Sequence, residues 1–212
     1  MDLPAALYVP AEGGFAATEH LIELGHRRIA AIGGRPEMMC SQERLAGHEA
    51  ALIRAGIPRS RSLIRHGDFY VGGGRKAAAE LLGLRERPTA IFAGSDEQAR
   101  GVYDEAHARG LRIPEDLSVV GFDDVDICEW MSPRLTTVHQ PIDQMAALAI
   151  RTVLQGLPTS GETPTRIELS TNLVVRDSTA PPGPDGGAAA RAAAPADRPG
   201  GRVQLRATSQ RR

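Results

Sequence analysis

Apolar side chains first recur at helical spacing over residues 15–24, where Ala17, Leu21 and Leu24 share one face. Gly25 follows and suits the left-handed turn that ends a helix. A short apolar run at 29–32 predicts a strand that stops at Gly33 and Gly34. Helical spacing returns at 41–55, with Leu45, Leu52 and Ile53 marking the buried side, until Gly56 and Pro58 prevent continuation. A strand at 63–66 runs into Gly67, Asp68 and Phe69, and a helix at 74–82 follows. The clearest strand, 89–93, ends at Gly94, Ser95 and Asp96. A helix over 97–109 closes on Gly110, and a strand over 117–122 ends at Asp123 and Asp124.

Strands and helices thus alternate from 29 to 123, which predicts βαβ units with right-handed crossovers and a parallel sheet, an α/β fold. Beyond this the pattern changes. A short strand at 135–138 precedes an Ala-rich helix at 142–154, a Pro/Gly/Thr linker at 157–165, and a long or broken strand at 167–175 with Asn172 in its middle. From Ala180 to Arg212 the chain is rich in Pro, Gly, Ala and Arg with no apolar period, which predicts a disordered tail. Its six Arg against two Asp make it basic, but a solvated tail needs no partner to explain it.

Composition narrows the function classes. Of the 212 residues 42% are hydrophobic, enough for a sizeable core, but only 4% are aromatic, so that core is built from Ala, Leu, Ile and Val. A formal net charge of −1 argues against nucleic-acid binding driven by bulk positive charge. Cys40 and Cys128 have no zinc spacing and make no disulfide scaffold, so both are expected as free thiols in a reducing compartment. No secretory signal precedes Gly14 and no run is long enough to span a membrane, so the expected location is the cytoplasm.

Candidate chemistry gathers at strand ends. In an open parallel sheet ligands bind beyond the carboxyl ends of the strands. Asp68, Asp96, Asp123 and Asp124 each follow a strand, Arg35 and Arg44 follow the first one, and Phe69 and Trp130 are nearby aromatics. Carboxylates accept from sugar hydroxyls, a guanidinium donates in a fixed plane, and aromatic faces cover the apolar side of a pyranose, so this rim suits a neutral polyol. Each Asp is also a plausible helix cap or turn residue. The loose G-x-G-x-x-G/A match at residues 72–77 lies four residues past its strand, whereas a dinucleotide loop needs an immediate turn. The six His show no metal-ligand spacing, the 26–28 run His-Arg-Arg reads as a solvated turn, and no nucleophile–base motif is present. No cofactor, metal or catalytic residue is expected.

The segments HLIELGHRRIA at 20–30, RLAG at 44–47, GDF at 67–69, PTAIFAGSD at 88–96, GLRIPEDLSVVGFDD at 110–124, PRLTTVHQP at 133–141 and LVVRDST at 173–179 stand in one order. Together they resemble the lac repressor (LacI/GalR) family of DNA-binding transcriptional repressors, over roughly residues 13–179. The resemblance implies a periplasmic-binding-protein-like fold with two α/β lobes and a sugar effector in the cleft between them, modulating operator binding without catalysis. Carried over residue by residue, it implies ligand contacts from Arg44, Phe69, Ser95, Asp123 and Gln140; Asp68, Asp96 and Trp130 stay weaker candidates, resting on their places near the strand ends alone. Ser95 stands where the family usually has Asn. The glycine pair Gly13 and Gly14 matches one that faces the ligand.

The resemblance also implies an organisation. Residues 1–28 would be a remnant of the N-terminal lobe, 29–134 the C-terminal lobe, 135–179 return segments, and 180–212 a tail. Crossings between lobes are expected near 25–29, 135–140 and 172–175. The family's helix-turn-helix, hinge helix and first half-lobe have no counterpart before Met1, so the expectation is an incomplete N-terminal lobe from a truncated product or a misassigned start. DNA would be reached only through that missing domain, and a homodimer is implied for the full-length family. A solute-binding protein of transport type is the alternative.

Overall fold

The computed structural model describes residues 5–8, 11–154 and 165–183. The strands are β1 (Ala5–Tyr8), β2 (Ile29–Gly33), β3 (Ile64–His66), β4 (Ala90–Ala93), β5 (Ser118–Asp123), β6 (Thr136–His139), β7 (Thr165–Glu168) and β8 (Asn172–Val174). The helices are α1 (Glu12–Glu23), α2 (Met39–Arg54), α3 (Val71–Leu82), α4 (Asp96–Ala108), the short α5 (Ile127–Trp130) and α6 (Ile142–Leu154). Six strands form one sheet in the order β3-β2-β4-β5-β6-β8, parallel except for β8, which runs antiparallel to β6. A separate pair, β1 and β7, is parallel.

The near-continuous apolar strands are explained by burial on both faces. Along β2, Ala30 and Ile32 enter the core beneath α3 and α4, while Ile29 and Ala31 enter the core beneath α1 and α2. β4 divides in the same way, with Ile91 and Ala93 on one face and Ala90 and Phe92 on the other. Both helix layers rely on close backbone approach. A Cβ on Gly14 would collide with the Arg44 carbonyl, and one on Gly47 with the Ala11 carbonyl, so α1 and α2 touch through reciprocal glycines. Gly74 and Gly101 do the same between α3 and α4. Gly72 to Gly74 therefore lie inside α3, where Gly74 serves helix packing.

Several expectations are corrected by this packing. Helix α1 packs on the six-stranded sheet, because Ala17 and Leu21 are buried with Ile29, Phe92 and Phe122, so the boundary expected after residue 28 does not separate α1 from that sheet. The pattern over 167–175 is broken: β7 pairs with β1, and β8 joins the main sheet beside β6. The chain accordingly passes between the sheets just before α1, between β6 and α6, and between β7 and β8, not at 25–29. Gly13 and Gly14 pack against Phe122 and Arg44 backbone within α1. Ile53 is 59% exposed, since it sits a quarter-turn away from buried Leu52.

Polar ties close the amino-terminal edge of the sheet. His26 is buried and not in a solvated turn: its Nε2–H donates to the Ala180 carbonyl at 2.9 Å, which leaves Nδ1 to accept from the Thr89 hydroxyl at 2.9 Å. Burial lowers its pKa, against a smaller opposing effect of the Ala180 carbonyl. Ser178 donates to the Val119 carbonyl at 2.6 Å and accepts from the Thr136 N–H at 2.8 Å. Residues 180–183 are thus held at the start of the predicted tail; the remainder, 184–212, lies outside the described residues. Cys40 and Cys128 are both free thiols.

The packing is tested at two glycines and one buried histidine. Gly47→Ala should cost about 1–3 kcal/mol in urea unfolding through overpacking at the α1–α2 crossing. Gly72→Ala, where an added Cβ meets nothing within 4 Å, should instead stabilise by about 0.4–1 kcal/mol. His48 is buried, hydrogen-bonded through Nδ1 to the Thr18 hydroxyl at 2.9 Å, and desolvation lowers its pKa from 6.5 to about 4. The unfolded chain binds this proton more readily, so the stability due to neutral His48 is full above pH 6.5 and lost as pH falls towards 4. Unfolding curves of the native chain and His48→Gln across that window should differ in slope by up to about 1.4 kcal/mol per pH unit.

Candidate functional site

Because β2 to β6 are parallel, their carboxyl ends open onto one edge of the sheet. Arg44, on the second turn of α2, reaches across that edge. Its guanidinium donates to the Gly94 carbonyl after β4, to Asp123 Oδ1 at the end of β5 (3.1 Å) and to Gln140 Oε1 just past β6 (3.2 Å). The guanidinium carbon lies 3.8 Å from the centroid of the Phe122 ring and 5.4 Å from that of Phe69. Four segments far apart in sequence therefore converge on one cation. Phe122, fully buried beneath Arg44, escaped notice in the sequence because it reads as an ordinary strand residue. Its place immediately before a strand-ending aspartate was the available signal.

Three non-glycine residues of this edge have positive φ: Phe69 (71°), Asp123 (114°) and Asp124 (62°). Such backbone persists only where the surroundings hold it. For Phe69 the hold is the Ser95 hydroxyl, which donates to the Phe69 carbonyl at 2.8 Å, together with Gly34, where any Cβ would enter the Phe69 ring. For the 123–124 turn it is Arg176, which donates to Asp124 Oδ1 at 2.8 Å, and His139, paired with Asp124 Oδ2 at 3.1 Å. Neither Arg176 nor His139 was singled out in the sequence, since a single chain does not reveal ion pairs made 52 and 15 residues apart.

The candidates thus separate by role. Arg44, Phe69, Asp123 and Gln140 come together. Ser95 is the N-cap of α4, accepting from the Gln98 N–H at 3.1 Å while it supports Phe69. Asp96 is buried and accepts from the Thr137 hydroxyl (2.5 Å) and the Val125 N–H (2.9 Å), so it clamps the loop that carries Asp123. Asp68 accepts from the Tyr70 N–H at 3.1 Å, a local turn at the start of α3. Trp130 is not brought to Arg44. It is 80% exposed and lines a shallow depression along α4 with Arg100, Tyr103 and His107. Arg35 is exposed on the loop before α2.

The electrostatics favour proton retention on the carboxylates. Burial pushes the Asp123 pKa up to about 6; Arg44 opposes this and the neighbouring charge of Asp96 reinforces it. Burial also raises Asp96, against its hydrogen bonds from Thr137 and Val125. Among the described residues no three His, Cys, Asp or Glu side chains gather as a metal site, and no helix is long and apolar enough to cross a membrane.

With this geometry in view, comparisons with known proteins place the chain. The model of the periplasmic binding protein-like domain matches residues 18–179, and the chain belongs to that family. Within it, the relatives are LacI-type regulators. The chain is 40% identical over 169 residues to the HTH-type transcriptional repressor PurR of Erwinia tasmaniensis, covering 80% of this chain and 50% of that one. A solved transcriptional regulator CelR–cellobiose complex superposes with a TM-score of 0.77 at 38% identity, covering 81% and 53% of the two chains. A LacI family transcriptional regulator from Mycobacterium smegmatis gives 0.77 at 33% identity, covering 84% and 66%. The chain spans about half the length of the curated relatives it matches.

Asp123 yields a test independent of any ligand. Its folded pKa is raised, so the native state holds a proton that the unfolded chain releases, and stability from this group falls as pH rises from about 4 to about 6. Asp123→Asn should lose that fall, so the stability difference between it and the native chain should shift in its favour as pH rises through this window. A difference that stays flat there would contradict the assignment.

Proposed function

We propose that this chain is the effector-sensing domain of a LacI-type transcriptional regulator, and that a neutral saccharide binds at the Arg44 edge. The observation that carries the reading is the convergence of Arg44, Asp123 and Gln140 over two phenylalanine rings at the carboxyl end of a parallel sheet. Asp123 and Gln140 supply acceptors for hydroxyls. The Arg44 fork supplies planar donors, and the Phe69 ring supplies an apolar face. Ser95 and Asp96 act by positioning these groups, and Asp68 holds the turn before α3.

No covalent step is required. A ligand that bridges the six-stranded unit and the β1–β7 sheet shifts a conformational equilibrium by its differential affinity for the two arrangements. In the longer protein that shift would be read by a helix-turn-helix on DNA, in a cytoplasmic homodimer. The cellobiose in the CelR complex supports a saccharide as the ligand class.

The test is a thermal melt of the chain and of Arg44→Met with xylose, xylobiose and cellobiose. At about 100 times its dissociation constant, the cognate sugar should add roughly 2.7 kcal/mol to the native chain and nothing to Arg44→Met. A cooperative melt moved by none of these sugars, or moved equally in both proteins, would overturn the reading.

A further inference from the structure

A second cavity, of about 510 Å³, lies at the opposite edge of the sheet, where the amino end of β2, the carboxyl-terminal half of α2 and the loop before β3 meet. It exists because β3 is the edge strand, and α2 packs over β2 and leaves the space beside it open. Its floor is apolar, from Ile29 and Leu52, and its rim sets three cations, Arg27, Arg59 and Arg61, against one carboxylate, Glu49. Arg59 is paired with Glu49 at 2.9 Å, but Arg27 and Arg61 have no ion-pair partner among the described residues. The inner wall includes His48, whose buried Nε2 has no hydrogen-bond partner. A buried polar atom without a partner is costly, and two unpaired guanidinium groups facing one space repel each other. A multiply charged anion held between the guanidinium groups removes the second of these costs.

We propose that this cavity is a second binding site, distinct from the Arg44 edge, for a phosphate monoester of a small metabolite. Guanidinium groups arriving from two chain segments suit a tetrahedral, multiply charged phosphoryl group better than a planar carboxylate. The volume accommodates the body of a sugar-sized molecule as well as its phosphate. The remaining wall carries a serine hydroxyl, Ser60, that can donate to phosphate or to the body of the guest. The same helix, α2, presents Arg44 to one edge and His48 and Leu52 to the other, so both sites bear on one rigid element.

The proposal is tested by calorimetric titration of the chain with glucose 6-phosphate, glucose and inorganic phosphate at ionic strength held constant with NaCl, since exposed charge attraction is screened by salt. Glucose 6-phosphate should bind the native chain and Arg44→Met alike, and at least tenfold more weakly to the double variant Arg27→Gln/Arg61→Gln. That variant should keep its urea midpoint, because both side chains are exposed. Inorganic phosphate binding as tightly as the ester would overturn the ester assignment. Equal binding to the native chain and the double variant, heats no larger than those of NaCl, or loss of binding in Arg44→Met would overturn the site. The Arg44→Met arm separates failure here from failure of the saccharide reading, which predicts the opposite result in that variant.

Discussion

A parallel sheet buried on both faces leaves only its two edges for polar work. Every strand residue between Ile29 and Gly33, and between Ala90 and Ala93, is sealed from water by a helix layer. Charged groups therefore gather where strands stop, and because β2 to β6 run the same way, their carboxyl ends stop on one side. The convergence of Gly94, Asp123 and Gln140 on Arg44 follows from that constraint. No strand alone could assemble the set, and an antiparallel sheet would divide it between opposite edges.

The Arg44 edge is costly to hold. Asp123 and Asp96 are both withdrawn from water, which raises the pKa of each, and the charge of Asp96 makes Asp123 harder still to ionise. The arginine offsets part of this, but a buried ion pair is weak evidence of stabilisation. What the pair does fix is geometry: the guanidinium plane is set by three acceptors and two rings. The positive-φ residues Phe69, Asp123 and Asp124 fit the same view, since strained backbone is retained where neighbours such as Ser95 and Arg176 over-determine it.

Helix α2 links the two edges. It meets α1 through a glycine contact so close that neither helix can shift without moving the other's backbone. In the segment Arg44, Leu45, Ala46 and Gly47, the first residue reaches the carboxyl edge of the sheet and the last permits the helix crossing that aims it. Close packing of this kind transmits displacement because interiors have little free volume to absorb it.

The alternation of strand and helix from 29 to 123, the strand-ending aspartates and the α/β class were legible in the sequence, because hydrophobic period and turn residues are local properties. From residue 15 to 154 helix and strand limits fell within about three residues of those observed, α5 excepted, whereas β1 was not foreseen and the 167–175 pattern divided into β7 and β8. The Arg44, Phe69, Asp123 and Gln140 set was reached through family resemblance, and its convergence only through coordinates. Phe122, Arg176 and His139 were not legible, because their importance lies in partners from distant strands. The same holds for α1: its period announces an amphipathic helix, but nothing local says which sheet it covers. Packing decides that, since the reciprocal contact of Gly14 and Gly47 is available only against α2. Local chemistry thus determined the elements and the residues at their ends, while tertiary structure alone decided which ends meet.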